Sequence, residues 1–338
     1  MKCFTQSKLH WICILKEDKM FRFKTPSQKT LEIMSDVAKG DTSENFENKC
    51  IEKIKRLTSH EFVKMTSSGN NSILIALSAI DGDIIVPDQG GWHGFKQIAK
   101  FLNKNVITLK TDLGIINPNY IDDLEIKENS ALIFTSFAGY CGEQDTKNIS
   151  KYCSDNNITT IEDASAGIGD SLHKLGNGNF SDIILASTGS PKMINVGSGG
   201  FITTNNKEFI DKTKLPQKLS KTNEIICSGI DSELDLVEKN LELTLNATKH
   251  LKNNIPGTIH NDKRGVNVII PHDNAKEISW NLKKSLTIDK SGFITTCPNY
   301  NRVKKKATAI EIKNLSYECL KKDHLNRIIE EVNNQLQA

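Results

Sequence analysis

Short apolar runs alternate with helical patterns between residues 61 and 204, and this alternation constrains the fold more than any other feature of the chain. The runs at 84–86, 131–135 and 183–186 are typical of buried strands, whereas residues 92–102 repeat apolar side chains at helical spacing. Strands that alternate with helices are joined in parallel, because each helix carries the chain back to the same end of the sheet. The pattern predicts an α/β fold with a mainly parallel sheet and helices on both faces.

The pattern changes after residue 207. Residues 231–254 predict one long helix, because leucine and valine side chains repeat along one face and Pro256 follows its end. Three strand-like runs and a closing helix with apolar residues at 325, 328, 329 and 332 come next. The strand-like runs lie at 266–270, 292–296 and 307–312. This part of the chain predicts a small α+β domain that the long helix joins to the sheet.

These patterns divide the chain into three parts. They are an N-terminal arm and helix over 1–45, a large domain with the linking helix over 46–250, and a small C-terminal domain over 251–338. The first nineteen residues do not share the pattern of the rest, and Met20 opens a segment that predicts an entry strand and a helix. Residues 1–19 are therefore expected to be either a loose arm or an upstream start artefact.

Composition narrows the class of protein. The chain has 44 Lys and Arg against 41 Asp and Glu, a net charge of +3, whereas dedicated nucleic-acid binders carry a clearly basic domain or stripe. No apolar run approaches the roughly 20 residues of a membrane helix. The eight cysteines include no C-x-x-C pair and the eight histidines no H-x-x-x-H pair, which disfavours a disulfide scaffold and the common metal sites. We expect a cytoplasmic globular protein without a metal, whose partners are neither membranes nor nucleic acids.

Three local features carry chemistry, and the first is the run Ser67-Ser68-Gly69-Asn70-Asn71-Ser72 at a strand-to-helix junction. The free N–H groups and the dipole at a helix N-terminus attract anions. A glycine there permits close approach, and the serine and asparagine side chains add hydrogen-bond donors. The plainer alternative is a capped helix that binds no ligand.

The second feature is the pair Glu162-Asp163, which directly follows the apolar run 158–161. Open α/β sheets bind ligands beyond the carboxyl ends of their strands. A carboxylate at that place can hold a protonated ring nitrogen of a cofactor, which would in turn keep the carboxylate ionised. The alternative is an N-cap for the turn that follows.

The third feature is the loop from Ser187 to Lys192, followed by the glycine-rich run 197–201. A lysine that follows a buried strand can form a Schiff base if burial lowers its pKa. Ser187 and Ser190 are placed to donate hydrogen bonds to a phosphate. The alternative is an exposed lysine on a glycine-rich hairpin.

In chain order, an anion site, a strand-end acid and a serine-lysine-glycine loop describe a pocket for pyridoxal phosphate. The order resembles the fold-type-I pyridoxal phosphate enzymes, and most of all the DegT/DnrJ/StrS family of sugar aminotransferases. The stretches that carry the resemblance are SSGNNSILIAL, DIIVPDQGGWHGF, ALIFTSFAGYCGEQDTKNISKYC, TTIEDASAGIGD, NFSDIILASTGSPKMINVGSGGFITT and, more weakly, LKKDHLNRIIEEV.

The resemblance implies an aspartate aminotransferase-like large domain, a homodimer, and a reaction that moves an amino group from an amino-acid donor to a keto acceptor, with keto sugars among the acceptors. Lys192 would form the Schiff base with the cofactor and then shuttle the proton. Asp163 would pair with the ring nitrogen and keep the ring an electron sink.

The resemblance also implies a set of cofactor-binding residues. Gly69, Asn70 and Ser187 would hold the phosphate, and Trp92 falls where the family places an aromatic side chain that stacks on the ring. The full cofactor-binding set implied is Ser68, Gly69, Asn70, Trp92, Asp163, Ser165, Ser187 and Lys192.

Two positions in the chain bear on the substrate. Where the family usually has Gln or His three residues after the aspartate, this chain has Ala166. Arg302 in the C-terminal part is the candidate for binding a substrate carboxylate, because the planar guanidinium matches a carboxylate in shape and charge. The alternative for Arg302 is a surface residue that leads into the lysine run 304–306.

Two other functions remain open. A lyase or cysteine desulfurase-like enzyme would keep the cofactor but would need a mobile reactive thiol, for which Cys297 and Cys319 are the candidates. A protein that keeps the fold without catalysis is the second alternative, and Ala166 and the reduced small domain would suit it.

Overall fold

The computed structural model describes residues 20–298 and 302–337. In these ranges the strands are, in chain order, β1 (Phe62–Thr66), β2 (Ile84–Pro87), β3 (Val106–Leu109), β4 (Ala131–Thr135), β5 (Phe137–Ala138), β6 (Gly142–Glu143), β7 (Thr159–Asp163), β8 (Ile183–Ser187), β9 (Gly200–Thr204), β10 (Val268–Pro271), β11 (Ile294–Cys297) and β12 (Ala307–Ile310).

The helices of the same ranges are α1 (Gln28–Lys39), α2 (Phe46–Thr58), α3 (Gly69–Ser78), α4 (Gly94–Phe101), α5 (Thr146–Asp155), α6 (Lys207–Lys212), α7 (Lys214–Leu219), α8 (Glu224–Leu234), α9 (Val237–Asn254), α10 (Ala275–Ser285) and α11 (Lys322–Gln337). None of these helices is both long and apolar enough to cross a membrane.

Seven strands form the central sheet in the order β1-β9-β8-β7-β4-β2-β3. The strands from β8 to β3 run parallel, and β9 runs antiparallel to both of its neighbours. Successive side chains of β9 pack on opposite faces, as a strand requires. Phe201 joins the apolar cluster of Ile54 from α2, and Ile202 joins that of Phe95 from α4. The predicted mainly parallel α/β sheet with helices on both faces is confirmed.

The C-terminal part has its own antiparallel sheet, in the order β10-β12-β11, and its own apolar cluster. The predicted small C-terminal domain with a separate sheet is confirmed, while the predicted domain boundaries stay predictions. Helix α9 contributes to both parts. Val237 and Leu241 pack in the cluster of the large sheet, and Ala247 and Leu251 pack in the C-terminal cluster.

The prediction of one helix over 231–254 is wrong. Two helices, α8 and α9, meet at a break over residues 235–236. Lys53 of α2 forms ion pairs with both Asp231 and Asp235 at the end of α8, with N–O distances of 2.9 and 2.6 Å. Leu234 and Val237 pack in the same apolar cluster on either side of the break, so apolar spacing continues through it and does not reveal it.

A short segment before α1 connects distant parts of the chain. Phe21 and Phe23 form isolated bridges with Ile288 and Leu315, respectively. The Lys24 N–H donates to the Asn314 carbonyl at 2.8 Å. The expectation for residues 1–19 lies outside the described residues.

The ammonium of Lys24 is buried near the ring of Tyr317, 4.6 Å from its centroid, without a hydrogen-bond partner. Burial, together with the nearby charge of Lys313, lowers the pKa of Lys24 from 10.5 to about 7, against the opposing effect of Glu233. In the unfolded chain the lysine stays protonated up to about pH 10.5. The buried charge therefore lowers the free energy of unfolding by its full amount below pH 7. This loss of stability becomes smaller as the pH rises from 7 toward 10.5.

We predict that Lys24→Met raises the free energy of unfolding at pH 6 by about 1–3 kcal/mol, because it removes a buried, unpartnered polar group. The gain should shrink at pH 9, where the native lysine is already neutral. Denaturant unfolding at pH 6 and pH 9 measures this change in the free energy of unfolding. Lys29→Met, at an exposed position of α1, is the control and should change stability by less than about 0.5 kcal/mol. A loss of stability in Lys24→Met at pH 6 would contradict the prediction.

Candidate active site

A cavity of about 230 Å³ lies where the carboxyl ends of β7 and β8 meet the N-terminus of α3. It is lined by Ser68, Gly69, Asn70, Ile73, Trp92, Tyr140, Asp163, Ser165, Leu185, Ser187 and Lys192. All eight residues that the sequence assigned to a cofactor are among them, although they come from four separate stretches of the chain. The position agrees with the rule that open α/β sheets bind ligands beyond their strand ends.

One wall of the cavity is the start of α3. The helix begins at Gly69, and the Ser68 hydroxyl caps it by accepting a hydrogen bond from the Asn71 N–H at 3.2 Å. Gly69 packs directly on the end of β8, since a Cβ on Gly69 would lie only 2.5 Å from the Cβ of Ser187. The positive end of the helix dipole therefore faces the cavity, as an anion site requires.

The cavity is also lined by Asp163, the last residue of β7, whose side chain is buried. Its Oδ1 accepts hydrogen bonds from both the backbone N–H, at 3.0 Å, and the hydroxyl of Ser165. The Ser165 Oγ in turn accepts from the Ser187 N–H at 2.8 Å. Ser165 therefore fixes the orientation of the carboxylate and ties it to the end of β8, and both of its bonds to Asp163 fall on one oxygen.

The structure separates the two acids that are adjacent in the sequence. Glu162 does not line the cavity, and its buried carboxylate accepts hydrogen bonds from Ser136 Oγ at 2.6 Å, the Gly176 N–H at 2.9 Å and Ser181 Oγ at 2.8 Å. These bonds satisfy it inside the fold. Glu162 is a structural residue, whereas Asp163 presents its carboxylate to the cavity.

Trp92 lines the cavity but does not lie on a helix. The predicted helix start at Trp92 is wrong, because the helix begins at Gly94. The indole N–H of Trp92 donates to Asn70 Oδ1 at 3.1 Å, and its ring lies 4.0 Å from the ring of His93, centroid to centroid. The bond to Asn70 ties the aromatic side chain to the start of α3.

Lys192 reaches the cavity from the loop after β8, and its Nζ donates to Tyr140 Oη at 3.1 Å. Burial lowers the pKa of Lys192, but the phenol of Tyr140 and the carboxylate of Asp163 outweigh it and raise the pKa above its usual value. The sequence could foresee the effect of burial on this lysine but not the two acidic groups that face the amine.

Tyr140 is the residue that sequence reasoning missed. It lies in the turn between β5 and β6 with a positive φ of 65°, a backbone conformation that non-glycine residues seldom adopt. Its carbonyl accepts hydrogen bonds from the N–H groups of Val266 and Asn267 at 2.8 and 2.9 Å. The buried Lys252 donates to the next carbonyl, that of Cys141, at 2.6 Å. The glycines in the run FAGYCGE were the available sign of an unusual turn.

Arg302 does not line the cavity. Its guanidinium is bound to Glu311, with Nε–Oε1 at 2.9 Å, and lies 4.4 Å from the centroid of the Tyr140 ring. Glu311 also pairs with Lys313 at 2.9 Å. Arg302 thus contacts Tyr140, which lines the cavity, and the binding of a substrate carboxylate by Arg302 stays a prediction.

Within the described ranges, no group of three or more His, Cys, Asp and Glu side chains is arranged to hold a metal ion. The titratable side chains that line the cavity are those of Lys192, Asp163 and Tyr140.

Comparison with known proteins decides the family. Residues 26–225 match the DegT/DnrJ/EryC1/StrS aminotransferase family. The chain belongs to this family. Its membership confirms the predicted enzyme class, a pyridoxal phosphate-dependent aminotransferase, and with it the predicted cofactor. Residues 238–333 match a second family, described as the MJ1341 family C-terminal domain.

Solved structures share the fold of this DegT-family chain at low sequence identity. A SepCysS–SepCysE N-terminal domain complex matches with a TM-score of 0.72 and 18% identity over 98% of this chain and 100% of that one. PseC of Helicobacter pylori, an aminotransferase involved in the biosynthesis of pseudoaminic acid, gives 0.74 and 12% over 94% and 99%. NtdA of Bacillus subtilis, solved with the cofactor PMP bound, gives 0.68 and 16% over 93% and 83%.

We predict that Gly69→Ala weakens the binding of pyridoxal phosphate about tenfold to a hundredfold, because the new methyl group pushes the start of α3 away from Ser187. Titration of the protein with the cofactor, followed by absorbance, measures the affinity. Gly292→Ala is the matched control, since a Cβ there meets nothing within 4 Å. Equal affinities of the two variants would show that the contact between Gly69 and Ser187 does not shape the site.

Proposed function

We propose that this protein is a transaminase that moves an amino group from an amino-acid donor to a keto acceptor, with keto sugars among the acceptors. One observation supports it above the others: Lys192, Asp163 and the start of α3 surround a single cavity. Two likenesses suggest a keto-sugar acceptor. They are the family match and the shared fold of an apo-form protein from Streptococcus pneumoniae, described as a putative sugar aminotransferase, with a TM-score of 0.74.

The residues of the cavity fit pyridoxal phosphate. We propose that Gly69, Asn70 and Ser187, with the capping Ser68, hold its phosphate at the positive end of α3. The second oxygen of Asp163 is left to bind the ring nitrogen, because both bonds from Ser165 fall on the first. Trp92 would stack on the ring.

When bound, the cofactor supplies an aldehyde that bonds to amines and a ring that withdraws electrons. We assign to Lys192 the amine that bonds to this aldehyde and later carries the proton, because its Nζ is the amine that lines the cavity. Asp163 keeps a negative charge beside the ring nitrogen and so favours its protonated form.

A lyase or cysteine desulfurase-like reaction is less well supported. It needs a mobile, ionisable thiol, whereas both Cys297 and Cys319 are buried. Burial raises the pKa of the Cys319 thiol, and its sulfur accepts the Arg22 N–H at 3.3 Å. A non-catalytic role is disfavoured as well, because Lys192 and Asp163 are both oriented by specific hydrogen bonds into the same cavity.

The cofactor assignment is tested by borohydride reduction of the protein loaded with pyridoxal phosphate, followed by peptide mapping. We expect a visible absorbance band that borohydride bleaches and a covalent pyridoxyl group on Lys192. Lys192→Ala should lose both signals, and Lys221→Ala, a change at an exposed lysine, should keep them. A reducible adduct on Lys192→Ala at the same site would show that another residue is the nucleophile.

The reaction type is tested by adding single amino acids to the loaded protein without an acceptor. A transaminase should release one keto acid per site and retain the amino group on the protein. Release of sulfide or alanine from cysteine would instead support the lyase.

We further propose that the enzyme works as a homodimer in the cytoplasm. Cysteines that are buried as free thiols are common in a reducing compartment, and Cys50, Cys141, Cys153, Cys227 and Cys319 are of this kind. Helix α7 exposes Leu215 and Leu219 to 66% and 78%, an apolar surface that an interface would cover. The helix adjoins the site, because the Ser220 carbonyl at its end accepts the Ser67 N–H at 2.7 Å.

We predict that the native protein sediments as a dimer and that the double variant Leu215→Glu, Leu219→Glu sediments as a monomer, since charges are unfavourable in an apolar interface. Leu243→Glu, at a half-exposed leucine of α9, is the control and should stay dimeric. A dimeric double variant would place the interface elsewhere.

A further inference from the structure

We propose that Tyr140 is a further catalytic residue, a phenolate that pairs with the ammonium of Lys192 and takes its proton when the amine bonds to carbon. This inference rests on the proposed role of Lys192. It gives the buried cavity a base of its own, so that freeing the amine does not depend on solvent.

The surroundings of Tyr140 favour its anionic form. Three cations lie around it: Lys192 Nζ at 3.1 Å from Oη, the Arg302 guanidinium at 4.4 Å and Lys313 Nζ at 4.8 Å from the ring centroid. Arg302 and Lys313 share the single carboxylate of Glu311. Three positive charges thus face two carboxylates, those of Glu311 and Asp163, and a phenolate supplies the third negative charge that balances them.

A negative charge near Tyr140 acts in the opposite direction. The carboxylate of Asp163 favours the neutral phenol, as does burial. Burial raises the pKa of Tyr140, but Lys192, Arg302 and Lys313 together outweigh it and leave the pKa lowered. The same pairing of phenolate and ammonium raises the pKa of Lys192.

The turn keeps the phenol in place for a proton transfer. Its positive φ at Tyr140 persists because Val266, Asn267 and Lys252 bind the carbonyls of residues 140 and 141. The step conserves atoms and charge. The Nζ–H bond of Lys192 breaks, the proton moves along the hydrogen bond to Tyr140 Oη, and the electron pair stays on nitrogen, which becomes a nucleophile.

The test observes the tyrosines directly in the protein without its cofactor. The chain has five tyrosines, and ¹³C labelling at their Cζ atoms distinguishes phenol from phenolate by NMR. The signal of Tyr140 is the one that Tyr140→Phe removes. In a pH titration, this signal should shift to the position of a phenolate below pH 10, the ordinary pKa of tyrosine. Tyr152→Phe is the matched control. Burial and Asp122 raise the pKa of Tyr152 to about 12, so this variant should remove a signal that titrates only at high pH.

Two further measurements separate a proton partner from a structural tyrosine. Lys192→Met removes a charge 3.1 Å away, and the Tyr140 titration should move up by about one pH unit or more, a tenfold change in its ionisation constant. Adding pyridoxal phosphate to the native protein should return the Tyr140 signal to phenol at a pH where it was phenolate, and should leave it unchanged in Lys192→Met.

The outcomes of the two proposals are distinguishable. A Tyr140 signal that titrates at or above pH 10, or that stays phenolate after the cofactor is added, would overturn the role of Tyr140 even if borohydride fixes the cofactor on Lys192. A Tyr140 signal that titrates below pH 10 in the native protein, and at higher pH in Lys192→Met, would support the ion pair even if the cofactor bonds to another residue. If Tyr140→Phe fails to fold, the shift of one signal in Lys192→Met still decides the pairing.

Discussion

The antiparallel strand β9 is the constraint on which the active site depends. Its first residue, Gly200, pairs with Thr66 at the end of β1 on one side and with Ser187 at the end of β8 on the other. Two strand ends that are distant in sequence are thereby placed next to each other. Gly69 then packs on Ser187 without a side chain between them. The hydrogen-bond register of one strand therefore sets the distance between the α3 dipole and the loop that carries Lys192.

Much of this arrangement was predictable, because the relevant signals are local. Apolar runs mark strands, and polar residues directly after them mark strand ends, which a parallel sheet gathers at one edge. Tyr140 escaped this reasoning because its position depends on contacts with Val266 and Lys252, far along the chain. The break between α8 and α9 escaped it because apolar spacing continues across the break.

The charges around Tyr140 show where local reasoning about ionisation fails. Burial alone would lower the pKa of Lys192, yet Tyr140 and Asp163 reverse that effect. Arg302 looked free to bind a substrate in the sequence, but Glu311 holds it against the ring. Networks of this kind add little to stability, since desolvation offsets the attraction between the charges. Their effect is on which protonation states the cavity favours.

The segment around Phe21 bears on the order in which parts of the protein fold during synthesis. Phe21 and Phe23 leave the ribosome early, but their pairing partners Ile288 and Leu315 follow much later. At about 5–20 residues per second, the delay is roughly 15–50 s. The strands of the central sheet can pair during this time. This segment is thus made before the central sheet but paired after it. Asn195, three residues after Lys192, donates a hydrogen bond to the Lys24 carbonyl, so this late pairing occurs close to the active site.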